Sequence, residues 1–313
     1  MSDAVDIWEE PQADEIYMIA GWRQWADAGS ISSELPRYLI QQTGARQIGT
    51  IKSDGFYLFQ FPGTHDLVRP VVAFDKGYPT SLEERRNELF YAGDEQRGVI
   101  YFSGNEPHLD IDRYVDAFLY IAQSLKVKRV ISLAGVYGEL PYNKERTVSC
   151  IYSLTEMKAE IEALSVNLSD YQGGASIGSY ICRRASERGM EFAGFYAFVP
   201  TYDFSKVAQI GNTIRIENDF MAWLGIMRRV NHMLGTNFDL SDLEQKSVDL
   251  IEVVDSKIEE IDRKTPQLDV REYMAQLSEG YDEVIFDPLD DVWEEELRRL
   301  FDESDQASDE TKQ

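Results

Sequence analysis

The stretch GVIYFSGNEPHLDIDRYVDAFLYIAQSLKVKRVISLA, residues 98–134, decides the fold class. Gly98 to Ser103 is an unbroken β-favouring run, and Arg129 to Ala134 is another. Between them Ile111, Tyr114, Val115, Phe118 and Ile121 recur at the 3.6-residue period of one helical face. Strand, helix, strand in this order is a βαβ unit, and strands written as continuous apolar runs belong to a parallel sheet covered on both faces. The same alternation extends outward. Upstream, Glu15 to Ala20 (EIYMIA) predicts a strand ending in Gly21-Trp22, and a helix follows through Ile31, Leu35, Leu39 and Ile40. Between these segments, Gln47 to Ile51, Tyr57 to Phe61, Pro70 to Phe74 and Asn87 to Tyr91 predict strands that add antiparallel to the sheet. Downstream, Thr147 to Tyr152 predicts a strand and Glu156 to Leu164 a helix. A helix over Ser176 to Glu187, a strand over Phe192 to Val199 stopped by Pro200, and a long helix over Glu217 to Leu234 complete the series. The whole predicts an open α/β sheet with right-handed crossovers and a mostly parallel centre.

The chain has 313 residues, 43% of them apolar, enough for a sizeable core. Acids outnumber bases 56 to 31, a net charge of -25, which repels phosphate backbones and anionic membranes. Neither nucleic acid nor a membrane is therefore expected as a partner. No run approaches the ~20 apolar residues of a spanning helix, and the first fifteen positions hold acids where a secretory signal holds bases. A soluble, cytoplasmic protein is expected. Cys150 and Cys182 lack metal or redox spacing and read as packing residues.

Charge divides the chain. Residues 241–313 hold 24 acids and 8 bases, whereas residues 1–240 hold 32 and 23. β-like runs also stop near residue 238. The expected organisation is an N-terminal extension over 1–14, an α/β domain over 15–238, an acidic helical subdomain over 239–302 and a disordered tail over 303–313. In the subdomain, Ser241 and Glu244 form a capping box ahead of Leu243, Leu250, Ile251, Val254, Ile258 and Ile261. Pro266 stops that helix, and Val270, Tyr273, Met274 and Leu277 predict a second. Asp287-Pro288 starts a third through Leu289, Val292, Trp293, Leu297, Leu300 and Phe301. Such stripes pack against each other and the main domain, or else receive a partner.

In open α/β sheets ligands bind beyond the carboxyl ends of the strands. The residues predicted there are Gly21, Trp22, Asp27, Gly29, Gly104, Glu106, His108, Gly135, Tyr137, Gly173, Gly174 and Tyr202. Taken singly, each glycine is explained by a turn. Gly173-Gly174 before Ser176 offers helix N-terminal amides to an anion, but is neither a Walker loop nor Gly-x-Gly-x-x-Gly. A turn with positive φ before an N-cap serine explains it more simply. His108, between Glu106 and Asp110, is placed for acid–base chemistry if it pairs with a carboxylate. His65, His108 and His232 show no metal-ligand spacing, and no Gly-x-Ser-x-Gly elbow occurs. No metal and no cofactor are expected, and no catalytic residue is assigned. Glu217-Asn218-Asp219 reads as acids facing a helix dipole.

As a set, these turns resemble the proteasome assembly chaperone 2 family. The residues that carry the resemblance are Gly21-Trp22 with Asp27-Ala28-Gly29, Gly104-Asn105-Glu106-Pro107, and Leu133-Ala134-Gly135-Val136 leading to Leu140-Pro141, followed by Tyr171-Gln172-Gly173-Gly174 and Phe198-Val199-Pro200-Thr201-Tyr202. The resemblance spans residues 15–300. It implies a phosphorylase-like α/β sandwich with a small helical subdomain in bacterial members, a homo-oligomer with a trimer favoured, and a chaperone-like or scaffold role with a protein client. Pro141-Tyr142-Asn143 and Pro200-Thr201-Tyr202 stand where many bacterial members carry histidines, so chemistry on those histidines is not expected here. The ending Glu310-Thr311-Lys312-Gln313 lacks the hydrophobic-Tyr-X docking signature. The alternative is a nucleoside phosphorylase-like or hydrolase-like enzyme acting in the strand-end crevice, which rests on fold analogy.

Overall fold

The computed structural model describes residues 2–60, 69–203, 213–266 and 269–286. Four parallel strands form its centre: β2 (Glu15–Arg23), β7 (Arg97–Asn105), β8 (Val127–Gly138) and β11 (Glu191–Asp203), ordered β7-β2-β8-β11. Antiparallel additions extend both sides. β6 (Glu88–Gly93), β3 (Arg46–Ile51) and β1 (Val5–Ile7) follow β7 in turn, while β9 (Val148–Tyr152) and β12 (Thr213–Arg215) pair with β11. The short β10 (Asn167–Leu168) adds parallel to β9.

Successive side chains of a strand point to opposite faces, and here both are buried. Met18, Ile100, Val130 and Phe192 meet Tyr114 and Phe118 of α2 (Ile111–Ser124) and Ile181 of α4 (Ile177–Glu187). Their neighbours Ile19, Tyr101 and Ile131 meet Leu35 and Leu39 of α1 (Leu35–Thr43) and Trp223, Met227 and Val230 of α5 (Phe220–Leu234). The short α3 (Lys158–Glu162) adds Ile161 to the second cluster. The acidic segment joins it too, through Leu243, Val254 and Ile258 of α6 (Ser241–Lys264) and Val270 and Met274 of α7 (Val270–Glu279). Burying each such side chain stabilises by roughly 1.5–3 kcal/mol. Cys150 and Cys182 are free and buried, and burial pushes both thiols up to about 12.

Several expectations are corrected. Tyr57 to Gln60 is not a strand; Tyr57 is anchored through its hydroxyl, which donates to Asn87 Oδ1 (2.7 Å). The apolar run near Pro70 forms β4 (Val71–Asp75), which among the described residues pairs with β5 (Tyr78–Glu83) in a ribbon separate from the central sheet. Residues 1–14 are more than an extension, because β1 joins the sheet edge. Pro200 does not stop its strand. It lies between the last residue of β11 paired with β9, Ala197, and the first paired with β12, Thr201, where no ladder N–H is required of it. The capping box is not formed: Ser241 lies inside α6, and its N–H (3.0 Å) and hydroxyl (2.7 Å) both donate to Asp239 Oδ1. The helix expected from Ile31 begins at Leu35, after a 3-10 turn over Ala28–Ser30. α5 begins at Phe220 because Asp219 is its N-cap, accepting the Ala222 N–H through Oδ1 (3.1 Å). The helix expected from Asp287, the tail and His65 lie outside the described residues.

Candidate functional site

β2 leads into α1 on one face of the sheet, and β7 leads into α2 on the other, so the chain switches direction between two adjacent parallel strands. This is where α/β sheets open a crevice. Gly21 and Trp22 end β2, Gly104 lies beside Trp22 on β7, and Gly135 lies on β8 opposite Ala197. Glu106 and Gly135 therefore share one edge of the sheet.

The segment from Gln24 to Ser30 crosses that edge like a roof. Glu106 N–H donates to Arg23 O (3.2 Å), Gly135 N–H donates to Ala26 O (2.9 Å), and Asp27 bridges to Gly135. Asp27 Oδ1 accepts the Ser32 (3.0 Å) and Ser33 (2.9 Å) N–H groups. Gly29, at φ 62°, turns its carbonyl to Asp219 N–H (3.1 Å) and Trp223 Nε1–H (2.9 Å). A side chain at Gly29 would meet Asp219 Cβ at 2.8 Å. Trp22 is buried beneath the roof against Phe102 and Phe118, and its Nε1–H donates to the Tyr114 hydroxyl (2.9 Å).

The anion position at the start of α4 is filled by the chain itself. Ser176 caps the helix by accepting the Ser179 N–H (3.2 Å), and Glu106 Oε1 accepts the Ile177 N–H (2.7 Å). The Trp25 N–H also bonds to the Glu106 carboxylate. Beside it lies a cavity of about 10 Å³ lined by Trp22, Ser32, Glu106, Ser132, Ser176 and Tyr196. That is room for one water. The buried Ser132 hydroxyl has no hydrogen-bond partner among the described residues. Outside the roof, an open cleft of about 830 Å³ is flanked by Arg23, Tyr57, Arg86 and Asn105. Among the described residues no group of three His, Cys, Asp or Glu is placed to hold a metal ion.

Burial, the largest influence, pushes the Glu106 carboxyl above its ordinary range, against the pull of the Ile177 and Trp25 N–H groups. A carboxyl with a raised folded pKa contributes stability that is complete below its unfolded pKa and lost as pH rises through the folded value. Glu106→Gln keeps an acceptor for Ile177 but does not ionise. As pH rises above the ordinary glutamate range of about 4, the wild type is therefore expected to lose stability relative to this variant. Urea unfolding at stepped pH measures the difference, and parallel pH profiles would rule the assignment out.

The remaining expected residues lie around this edge in other roles. Glu106 is engaged at α4, and Asp110 pairs with Arg113 (2.7 Å). His108 Nδ1 accepts the Leu58 N–H (3.1 Å), and burial with nearby Arg85 pushes its pKa down. Gly173 and Gly174 are exposed and lack the expected positive φ. The Tyr137 hydroxyl accepts from Arg215 Nε (2.5 Å) at the outer end of β8. Tyr202 is buried on the α7 side, where its hydroxyl donates to Leu140 O (2.5 Å) and its ring meets Tyr273. Sequence reasoning missed Asn87, whose Oδ1 gathers the Tyr57 (2.7 Å) and Tyr114 (3.0 Å) hydroxyls and the Asn105 N–H (3.2 Å). It also missed the buried pair of Arg146 and Asp219. Neither carries a local signal, because the partners lie 18 to 73 residues away.

The sequence profile of the PAC2 family matches residues 21–258. No curated protein is significantly similar to the chain. Its fold is similar to that of a PAC2 family protein from Streptomyces avermitilis (20% identity, 77% of this chain and 95% of that one, TM-score 0.64). A proteasome-assembly chaperone homologue from Mycobacterium tuberculosis matches as well (20% identity, 77% and 94%, TM-score 0.64). So does PbaB of Pyrococcus furiosus, an archaeal proteasome activator (17% identity, 80% and 97%, TM-score 0.55).

Proposed function

We propose, from the premise that this chain belongs to the PAC2 family, that it is a chaperone-like scaffold working through protein contacts as a homo-oligomer, a trimer being favoured. The observation that carries this reading is the filled strand-end crevice. An anion at the start of α4 would have to displace Glu106, which occupies the amide there, and the neighbouring cavity holds about 10 Å³. The enzyme alternative would have to use the open cleft of about 830 Å³ beside Arg23 and Asn105 instead. Similarity to a proteasome-assembly chaperone homologue and to a proteasome activator supports a protein client. The net charge of -25 argues against nucleic acid or an anionic membrane, and no helix among the described residues is long and apolar enough to cross a membrane. A cytoplasmic location is part of the proposal. So is the role of the acidic helices as a cap, supported by Leu243, Val254 and Ile258 within the main core cluster.

Native mass spectrometry of the full chain tests the reading. A species of three times 35.9 kDa is expected at micromolar concentration. A monomer across that range would sink the oligomeric scaffold.

A further inference from the structure

The geometry points to the open cleft outside the roof as a binding site for a small phosphate-bearing molecule, a role that stands beside the scaffold reading and does not depend on it. The cleft, of about 830 Å³, lies where β2 and β7 end side by side, with Arg23 paired to Asn105. These strands lead to helices on opposite faces, so the cleft stands at the switch point where α/β sheets take ligands. Its volume is that of a small-molecule site.

Charge selects the ligand. Among the described residues five arginines and four acids line the cleft, whereas the whole chain has 31 bases against 56 acids. The wall formed by the strand ends, Arg23, Gln24, Ser103, Gly104 and Asn105, carries a base and no acid. Arg85 converges on the same wall, its Nη1 donating to Asn105 Oδ1 (3.4 Å). Burial first, and Arg23 besides, push the Arg85 pKa down, so the two guanidiniums repel each other there. A bound oxyanion removes that repulsion, and the forked N–H donors of two arginines match phosphate oxygens. Arg23 also bridges to Glu34 (2.8 Å), but that pair is solvent-exposed and weak enough for a ligand to compete with.

Gln24 adds a second sign. It is held at φ 127°, a backbone conformation that is costly outside glycine and that gathers at ligand clamps. The net charge of -25 then limits the ligand's size. A polyanion longer than the cleft would run onto acidic surface within the ~10 Å over which charges act at moderate salt. A molecule with one or two phosphate groups stays inside.

Isothermal titration calorimetry of the full chain at fixed ionic strength tests the site, with inorganic pyrophosphate as the probe and citrate as the carboxylate comparison. Pyrophosphate is expected to bind with Kd below about 1 mM, and about 10-fold or more tighter than citrate. Arg23→Gln and Arg85→Gln should each weaken it by about 10-fold or more. Arg183→Gln, which removes an exposed arginine of α4 outside the cleft, should change it by less than about twofold. Phenylglyoxal labelling of the wild type needs no variant: pyrophosphate should slow the modification of Arg23 and Arg86 and leave Arg183 as reactive as before. Where a variant loses its circular dichroism, this labelling decides alone, and equal protection of Arg183 would overturn the site. Absence of pyrophosphate binding, tighter binding of citrate, or an equal loss in Arg183→Gln would each overturn the assignment too. None of these outcomes bears on the number of subunits, so the scaffold reading is tested separately.

Discussion

Asp219→Ala is expected to destabilise the fold by about 3–5 kcal/mol, the cost of stripping one partner from a buried ion pair. Arg146 and Asp219 are both fully buried, with Arg146 Nε 2.8 Å from Asp219 Oδ2. Arg146 Nη1 donates to the carbonyls of Pro141 (3.2 Å), Tyr142 (3.0 Å) and Lys144 (2.7 Å), while Nη2 has no partner among the described residues. Alanine would leave a guanidinium in the core without a counter-charge. It would also remove the cap on Ala222. A fall in melting temperature on the order of 10 °C should follow. Replacing both partners, Arg146→Met with Asp219→Leu, should recover most of the loss, because no charge is then buried. A loss below about 1 kcal/mol for the single variant would show that water reaches the pair. Arg146→Lys should behave more like the single loss than like wild type, since an ammonium does not span the carboxylate and three carbonyls together.

Gly135→Ala should be the second largest effect, about 3 kcal/mol, at the upper end of ordinary overpacking. A methyl group there would lie 2.0 Å from Ala28 O and 2.9 Å from Ile31 Cδ1. Ala28 O is backbone and has no rotamer to change, so the roof must lift. Lifting breaks the bond from Gly135 N–H to Ala26 O and the Asp27 bridge. Gly21→Ala on the neighbouring strand should act alike, with its methyl 1.9 Å from Ser32 O. Gly174→Ala is the control, since the nearest atom is Trp25 Cζ2 at 4.0 Å, and a change within about 0.5 kcal/mol is expected. Amide exchange at Gly135 separates the mechanisms: faster exchange in Gly135→Ala and Gly21→Ala means a lifted roof, and unchanged exchange would reject it.

These two expectations concern the part of the molecule that strand-end reasoning reached imperfectly. Gly21, Trp22, Asp27, Gly29, Gly104, Glu106 and Gly135 lie along one edge of the sheet, where the central strands run the same way. What local sequence does not reveal is that Gly21 and Gly135 are small because a backbone segment lies on them. A glycine at a strand end looks the same whether it admits a ligand or its own chain. Tyr202 and Tyr137 left the crevice because β11 and β8 run on past Pro200 and Gly135, and a strand's length depends on what pairs beside it.

The sequence by itself determined the α/β class with a mostly parallel sheet and most of the strands and covering helices, because apolar period and strand length are local properties of the chain; that β9 runs antiparallel to β11 was not among them. The family followed from the order of the same turns. Only the tertiary structure decided that β4 and β5 stand apart from the sheet, that β1 closes an edge, and that Arg146 finds its counter-charge at Asp219. It also decided that Glu106 serves as the anion at the start of α4. Each of these joins segments far apart in the chain, and such a pairing is selected by burial, sterics and charge in the assembled fold, none of which has a period that a single segment records.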